Sequence, residues 1–97
     1  MRRKEIIEAI TGRRAELIER FAVKSLALFG SVARDEDRPD SDVDVLVEFN
    51  GPATFDRYMS LKLFLEELLQ TRVDLVTQRA LKPRMRPRVE QEAVYVA

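Results

Sequence analysis

The sequence contains no cysteine, no histidine and no tryptophan. Without cysteine the chain can form no disulfide and has no thiol nucleophile, and without histidine it has no imidazole general base. The usual nitrogen and sulfur ligands of zinc are missing for the same reason. A metal site would have to use oxygen ligands, which favours carboxylates with Mg²⁺, Mn²⁺ or Ca²⁺.

Long apolar runs are also missing. No stretch approaches the roughly 20 apolar residues of a membrane-spanning helix. The first residues, Met1-Arg2-Arg3-Lys4, are not followed by the apolar core of a signal peptide. With 45% hydrophobic and 35% charged residues, the composition is typical of a folded soluble protein. We therefore expect one domain over residues 1–97, located in the cytoplasm and not in a membrane.

The formal net charge of zero conceals two segments of opposite charge. Residues 35–44 carry six acids against Arg38, whereas residues 79–88 carry five bases and no acid. The basic segment is suited to a triphosphate, to nucleic acid or to an acidic protein surface, and it is equally compatible with a solvated face. Few aromatic residues lie among these bases to stack on nucleotides, which argues against direct nucleic-acid binding.

Hydrophobic periodicity predicts alternating helices and strands. Apolar residues at helical spacing predict a helix over 4–21, and Thr11-Gly12 leaves open two shorter helices with Thr11 as the second N-cap. The remaining pattern predicts strands over 25–29, 42–49, 72–76 and 94–96, a short helical turn over 32–34, a polar loop through Pro39, and helices over 54–70 and 84–93. We expect an α/β fold with a small mixed β-sheet flanked by helices.

One motif stands out from this pattern. The apolar strand that ends at Phe29 leads into Gly30-Ser31, and ten residues separate Ser31 from Asp42 in the segment Asp42-Val43-Asp44. Side chains alternate along a strand, so both aspartates lie on one face, with a third aspartate, Asp74, on the third predicted strand. Clustered carboxylates repel one another unless a cation neutralises them, and the pattern indicates a metal-dependent phosphate site. The alternative is that all three are ordinary solvent-facing strand residues.

At these residues the chain resembles the nucleotidyltransferase superfamily that includes DNA polymerase beta, whose signature is Gly-Ser, ten residues and Asp-x-Asp. More narrowly, residues 28–34 and 41–47 are similar to minimal nucleotidyltransferase (MNT) domains, and the similarity extends to residues 73–76 and 92–96. Those domains commonly have glycine where this sequence has Asp35. The resemblance implies the minimal polymerase-beta-like nucleotidyltransferase fold.

The resemblance also implies roles for six residues. The Gly30 backbone and the Ser31 hydroxyl would hold the phosphates of the nucleotide donor, expected to be ATP. Arg34 would offset phosphate charge, unless it is a solvated residue of the helical turn. The catalytic and metal-binding carboxylates would be Asp42, Asp44 and Asp74, holding two Mg²⁺ ions, with Asp74 also assisting deprotonation of the acceptor hydroxyl.

The acceptor is the remaining question. Larger members of this superfamily carry an additional domain that binds the acceptor, and 97 residues leave no room for one. We therefore expect another protein to present the hydroxyl. MNT domains are encoded beside HEPN-domain ribonuclease toxins, and the resemblance implies an antitoxin that transfers AMP from ATP to a toxin tyrosine and so neutralises the toxin. The alternatives are a non-catalytic antitoxin that blocks the toxin by complex formation, and transfer to a small molecule or an RNA end.

Overall fold

A computed structural model describes residues 3–36, 38 and 41–97. Part of the polar loop predicted through Pro39 lies outside these residues. The elements in chain order are α1 (Arg3–Thr11), α2 (Arg14–Phe21), β1 (Val23–Phe29), α3 (Gly30–Ala33), β2 (Val43–Phe49), α4 (Phe55–Leu69), β3 (Val73–Thr77), 3₁₀ turns at Gln78–Ala80 and Pro83–Met85, α5 (Arg86–Glu92) and β4 (Val94–Tyr95).

The four strands form one mixed sheet in the order β3-β2-β1-β4. Strand β1 is antiparallel to both β2 and β4, whereas β2 and β3 are parallel. The parallel pair is joined through α4, as a crossover connection requires. The predicted mixed α/β sheet is therefore confirmed.

Both faces of the sheet are covered by apolar residues, one by a larger core than the other. One face of β2 carries Val43, Val45 and Val47, which are buried with residues of α1, α2 and α4 in the main core. On the opposite face a smaller cluster joins Ala27 and Leu46 of the sheet to Leu81 and Val89. Because this second layer is small, polar side chains at one end of that face remain accessible.

The N-terminal segment forms two helices, which confirms one of the two predicted arrangements. The predicted role of Thr11 is wrong, however. Thr11 ends α1, and its hydroxyl donates a hydrogen bond to the Glu8 carbonyl at 3.2 Å. Threonine side chains often bond in this way to a carbonyl three or four residues earlier in a helix. The N-cap of α2 is Arg13, which makes no side-chain capping bond.

Helix α4 has the expected start. The Thr54 side chain accepts a hydrogen bond from the Arg57 backbone N–H at 3.2 Å, so it caps the helix that the sequence predicted over 54–70. The last helix is shorter than predicted, because a 3₁₀ turn occupies Pro83–Met85 and α5 begins only at Arg86. Among the described residues, no helix is long and apolar enough to cross a membrane.

Candidate active site

The Gly30-Ser31 turn joins the end of β1 to the short helix α3. Gly30 has a φ of +70°, a conformation that residues with a Cβ atom rarely adopt. A Cβ atom at Gly30 would also collide with Oδ2 of Asp44 and lie 3.1 Å from Asp44 Cγ. Glycine is therefore required both by the backbone conformation and by the close approach of the carboxylate.

Strand register explains how Asp44 meets its neighbours. In the sheet, Asp44 is the cross-strand partner of Phe29 in β1 and of Asp74 in β3. The turn after Phe29 and the carboxyl group of Asp74 thus lie on either side of Asp44. Three segments that are distant in sequence meet at one end of the sheet.

The pKa of the Asp44 carboxyl group is raised from the ordinary value of 3.8 to about 6. Partial burial is the largest cause, and the charges of Asp74 and Asp42 also raise the pKa. The close approach of the Asp74 side chain acts in the same direction, while the charge of Arg34 opposes the rise. A raised pKa of this kind is expected where carboxylates gather.

Asp42 lies just before β2 and is more exposed. Its Oδ1 lies 3.2 Å from Nε of Arg72, and 47% of its side chain is accessible. Over residues 3–36, 38 and 41–97, no three acidic side chains are arranged as a ready metal-binding group. The fold brings the three aspartates predicted as ligands near one another, but Asp42 is paired with Arg72.

The chemistry of these residues fits a divalent cation bound through oxygen. Asp44 and Asp74 are cross-strand partners whose charges repel, which a cation would offset, and the Asp42–Arg72 pair is an exposed contact that costs little to open. Carboxylate oxygens are the ligands that Mg²⁺ prefers. The assignment of Asp42, Asp44 and Asp74 as ligands remains a prediction that this arrangement supports.

Arg34 is not the freely solvated residue that the alternative interpretation described. Its Nε donates to Glu36 at 3.0 Å and its Nη1 donates to Glu92 at 2.9 Å, and these two hydrogen bonds raise its pKa. The loop beyond it turns at Asp35, whose φ of +60° is one that glycine adopts more easily. Asp35 thus reproduces the conformation favoured by the glycine that is common at this position in MNT domains.

Two residues near the site were not predicted. Glu92 contacts Arg34 from 58 positions away, and Arg72 contacts Asp42 from the segment before β3. The only sequence signal for Glu92 was its place in a segment similar to MNT domains. In the structure it also pairs with Arg88, four residues earlier, at 3.3 Å. Nothing in the local pattern around Arg72 indicated its partner.

The basic segment is divided by its contacts. Arg86 is half-buried and donates to the Gln78 carbonyl at 3.0 Å, whereas Arg88 donates to Glu92 with 77% of its side chain accessible. The other three bases of the segment, Arg79, Lys82 and Arg84, are also exposed. A partner could therefore reach every base of the segment except Arg86, although Arg88 is already paired.

Two open grooves lie away from the carboxylates. One runs between α2 and α4 and includes Phe21, Leu63 and Phe64. The other lies beside the loop at 49–53 and the turn at 77–80. Neither groove includes any of the six predicted site residues.

Comparisons with known proteins agree with this geometry. The family described as "Nucleotidyltransferase domain" matches residues 11–96. The "Protein adenylyltransferase MntA" of Thermococcus cleftensis is 42% identical over 93 residues, which cover 96% of this chain and 94% of that protein. A solved structure named provisionally as a minimal nucleotidyltransferase has a TM-score of 0.83 and 41% identity, with 97% of this chain and 95% of that chain covered.

A more distant structure shares the fold. It is a complex of a tri-AMPylated HEPN toxin of Shewanella oneidensis with an MNT antitoxin, at a TM-score of 0.67 and 18% identity, covering 94% of this chain and 71% of the matched chain. Similarity at this level extends to the fold alone. Because the family match covers most of the chain, and the relatives match it over nearly their whole length, this chain belongs to the nucleotidyltransferase domain family, as a minimal (MNT) member.

Proposed function

We propose that this protein transfers AMP from ATP to a hydroxyl group, expected to be a tyrosine, of a cognate HEPN-domain toxin and thereby neutralises it. The observation that carries the proposal is the contact between the Gly30 turn and Asp44, with Asp74 as the next residue across the sheet. A phosphate-sized turn beside paired carboxylates suits phosphoryl chemistry. The name of the Thermococcus cleftensis relative and the complex of a HEPN toxin with an MNT antitoxin support the choice of AMP and of the partner.

The donor phosphates would be held at the turn. The backbone at Gly30 and the hydroxyl of Ser31 offer hydrogen-bond donors, and Arg34 supplies a positive charge that its two carboxylate partners hold in place. Fixed donors and charges of this kind stabilise the charge that builds on phosphate oxygens in the transition state, without a cost of reorganisation.

The three aspartates would hold Mg²⁺. The ions, when bound, would neutralise phosphate charge and favour the leaving pyrophosphate. Release of Asp42 from Arg72 would complete the set of carboxylates. Asp44, whose pKa is raised to about 6, would need to be ionised before it binds a cation, because only the ionised carboxylate is a strong ligand.

The reaction itself would be an in-line displacement. The acceptor hydroxyl oxygen attacks the α-phosphorus, a new oxygen–phosphorus bond forms, and the bond from the α-phosphorus to the β-phosphate oxygen breaks. Pyrophosphate leaves, and Asp74 accepts the hydroxyl proton. The exposure of Asp74 at the open end of the sheet is compatible with an acceptor that arrives on another protein.

Intact mass measurement of the HEPN partner tests this proposal. The partner is incubated with this protein, ATP and Mg²⁺, at a partner excess, and compared with reactions that contain Asp42→Asn or Asp56→Asn. We expect the mass of one or more AMP units with the wild type and with Asp56→Asn, an exposed acid on α4, and no gain with Asp42→Asn. Normal labelling by a folded Asp42→Asn variant would contradict the proposed role of Asp42.

The same experiment separates the alternative functions. A stable complex without a mass gain, and neutralisation only at stoichiometric amounts, would indicate an antitoxin that blocks its partner by binding. No complex and no mass gain would direct attention to small-molecule or RNA acceptors. A catalytic antitoxin should neutralise many toxin molecules per copy, whereas a blocking protein cannot.

A further inference from the structure

Glu92 connects the last helix to the phosphate turn. It is the final residue of α5, and only 16% of its side chain is accessible. Its Oε1 accepts hydrogen bonds from Arg34 Nη1 at 2.9 Å and from Arg88 Nε at 3.3 Å. The backbone N–H of Gly30 lies near enough to this carboxylate to lower its pKa. One acidic side chain therefore bonds Arg34 and lies beside Gly30, two of the residues proposed to hold the donor phosphates.

The position of Glu92 is unfavourable for the helix itself. An acid in the last turn faces the negative end of the helix dipole, which disfavours a negative charge there. Burial alone would raise the pKa of Glu92, yet its hydrogen bonds with Arg34 and Arg88, the charge of Arg34 and the nearby Gly30 N–H lower it below the ordinary value. The contacts to the turn thus offset both penalties and keep the carboxylate ionised.

The contacts also restrict Arg34. Its Nε and Nη1 are used by Glu36 and Glu92, and within the described part of the chain Nη2 makes no hydrogen bond that competes with a ligand. A guanidinium group held by two carboxylates keeps a fixed plane, which leaves its remaining N–H groups in a constant place. The Gly30 N–H lowers the pKa of the same carboxylate, so the turn lies beside the group that holds Arg34.

We propose that Glu92 is a positioning residue, which orients Arg34 beside the Gly30 turn so that the guanidinium group meets the β- and γ-phosphates of the donor. This inference rests on the proposed function, because it assumes that a nucleoside triphosphate binds at the turn. The competing interpretation is that Glu92 only fastens α5 to α3. The two differ in what a change at Glu92 does to phosphate binding in a protein that remains folded.

Nucleotide binding separates the two interpretations. We compare Glu92→Gln with Glu90→Gln, an exposed acid two residues earlier on α5. Calorimetric titration with ATP and with AMP, both with Mg²⁺, should show ATP binding weakened about tenfold by Glu92→Gln, in the range typical of outer-shell partners. AMP binding should not change, because AMP lacks the phosphates that Arg34 and Gly30 would meet. Equal weakening of both ligands, or of neither, would overturn the proposal.

The resonance of the Gly30 amide gives a readout that needs no nucleotide. The sequence has three glycines, so the glycine region of the ¹⁵N–¹H spectrum contains only the signals of Gly12, Gly30 and Gly51. Glu92→Gln should shift the Gly30 amide and leave the other two in place. An unchanged Gly30 signal would show that the Glu92 carboxylate does not lie beside the turn in solution and would overturn the proposal. This result is independent of whether the protein transfers AMP.

A double-mutant cycle tests whether Glu92 acts through Arg34. In an Arg34→Gln background, Glu92→Gln should cost much less ATP affinity than it does in the wild type, since interacting residues are not additive. Full additivity would contradict a positioning role.

If Glu92→Gln does not fold, Glu92→Asp, which keeps the charge but shortens the side chain, should give the same selective loss of ATP binding. A wild-type protein that binds no ATP would instead refute the proposed function, whatever the Gly30 signal shows.

Discussion

Replacing Asp44 with asparagine should make the metal-free protein more stable at neutral pH and leave its stability in acid unchanged. The pKa of Asp44 is raised from 3.8 to about 6 by burial and by the charges of Asp74 and Asp42. The folded state therefore binds the Asp44 proton more tightly than the unfolded state does. It follows that the contribution of this group to stability falls as the pH rises from 3.8 towards 6, and then stays low.

The magnitude follows from the size of the shift. A change from 3.8 to about 6 corresponds to roughly 3 kcal/mol, at about 1.4 kcal/mol per pKa unit. Asp44 is only half-buried, so solvent screening reduces this figure, and we expect about 1 kcal/mol. The asparagine side chain has nearly the same shape but no charge, and it removes the repulsion without leaving a cavity.

Urea unfolding in a chelator, at about pH 7.5 and again at about pH 3.5, measures this effect. Asp44→Asn should unfold at a higher urea concentration than the wild type at the upper pH and at the same concentration at the lower pH. Glu90→Gln serves as the control for removal of a negative charge from an exposed position. A variant that is less stable than the wild type at neutral pH would refute the argument from carboxylate repulsion. Added Mg²⁺ should then stabilise the wild type and not the Asp44→Asn variant, because only the wild type keeps the full set of proposed ligands.

Three further predictions follow from single contacts. Gly30→Ala should lower the free energy of unfolding, measured by urea unfolding, by at least about 1–2 kcal/mol, because Gly30 has a positive φ. The added Cβ would collide with Asp44 and should abolish AMP transfer, and full activity would contradict this packing. Thr54→Ala should cost about 1 kcal/mol in the same unfolding assay through loss of the α4 cap, while transfer is retained. Arg72→Gln should free Asp42 and tighten Mg²⁺ binding in calorimetric titration by a few-fold at most, since exposed pairs contribute about 1 kcal/mol or less; weaker binding would show that Arg72 assists the site.

The comparison between sequence and structure is clearest at the two strands that carry the aspartates. Side-chain alternation predicted that Asp42 and Asp44 lie on one face of their strand, and the structure buries Val43, Val45 and Val47 on the face opposite Asp44. The facing of a strand residue depends only on local geometry. Similarly, the Gly30 turn was predictable, because an apolar strand followed by glycine is a local signal.

What the local pattern left open was decided by packing. The break between α1 and α2 was predicted as one of two possibilities, but the capping role of Thr11 was wrong, because its hydroxyl bonds back to Glu8 within α1. Such a choice between competing hydrogen bonds depends on small energy differences that periodicity does not describe.

The same distinction between local sequence pattern and tertiary packing applies to the candidate site. By itself the sequence determined which residues have the chemistry for the site and which face of each strand they occupy, because turn chemistry and side-chain alternation are local properties. Only the tertiary structure decided that Asp44 lies beside Asp74, that Arg72 holds Asp42, and that Glu92 reaches Arg34 and Gly30. Those contacts depend on strand register and on the packing of α5, which are set by interactions between residues far apart in the chain.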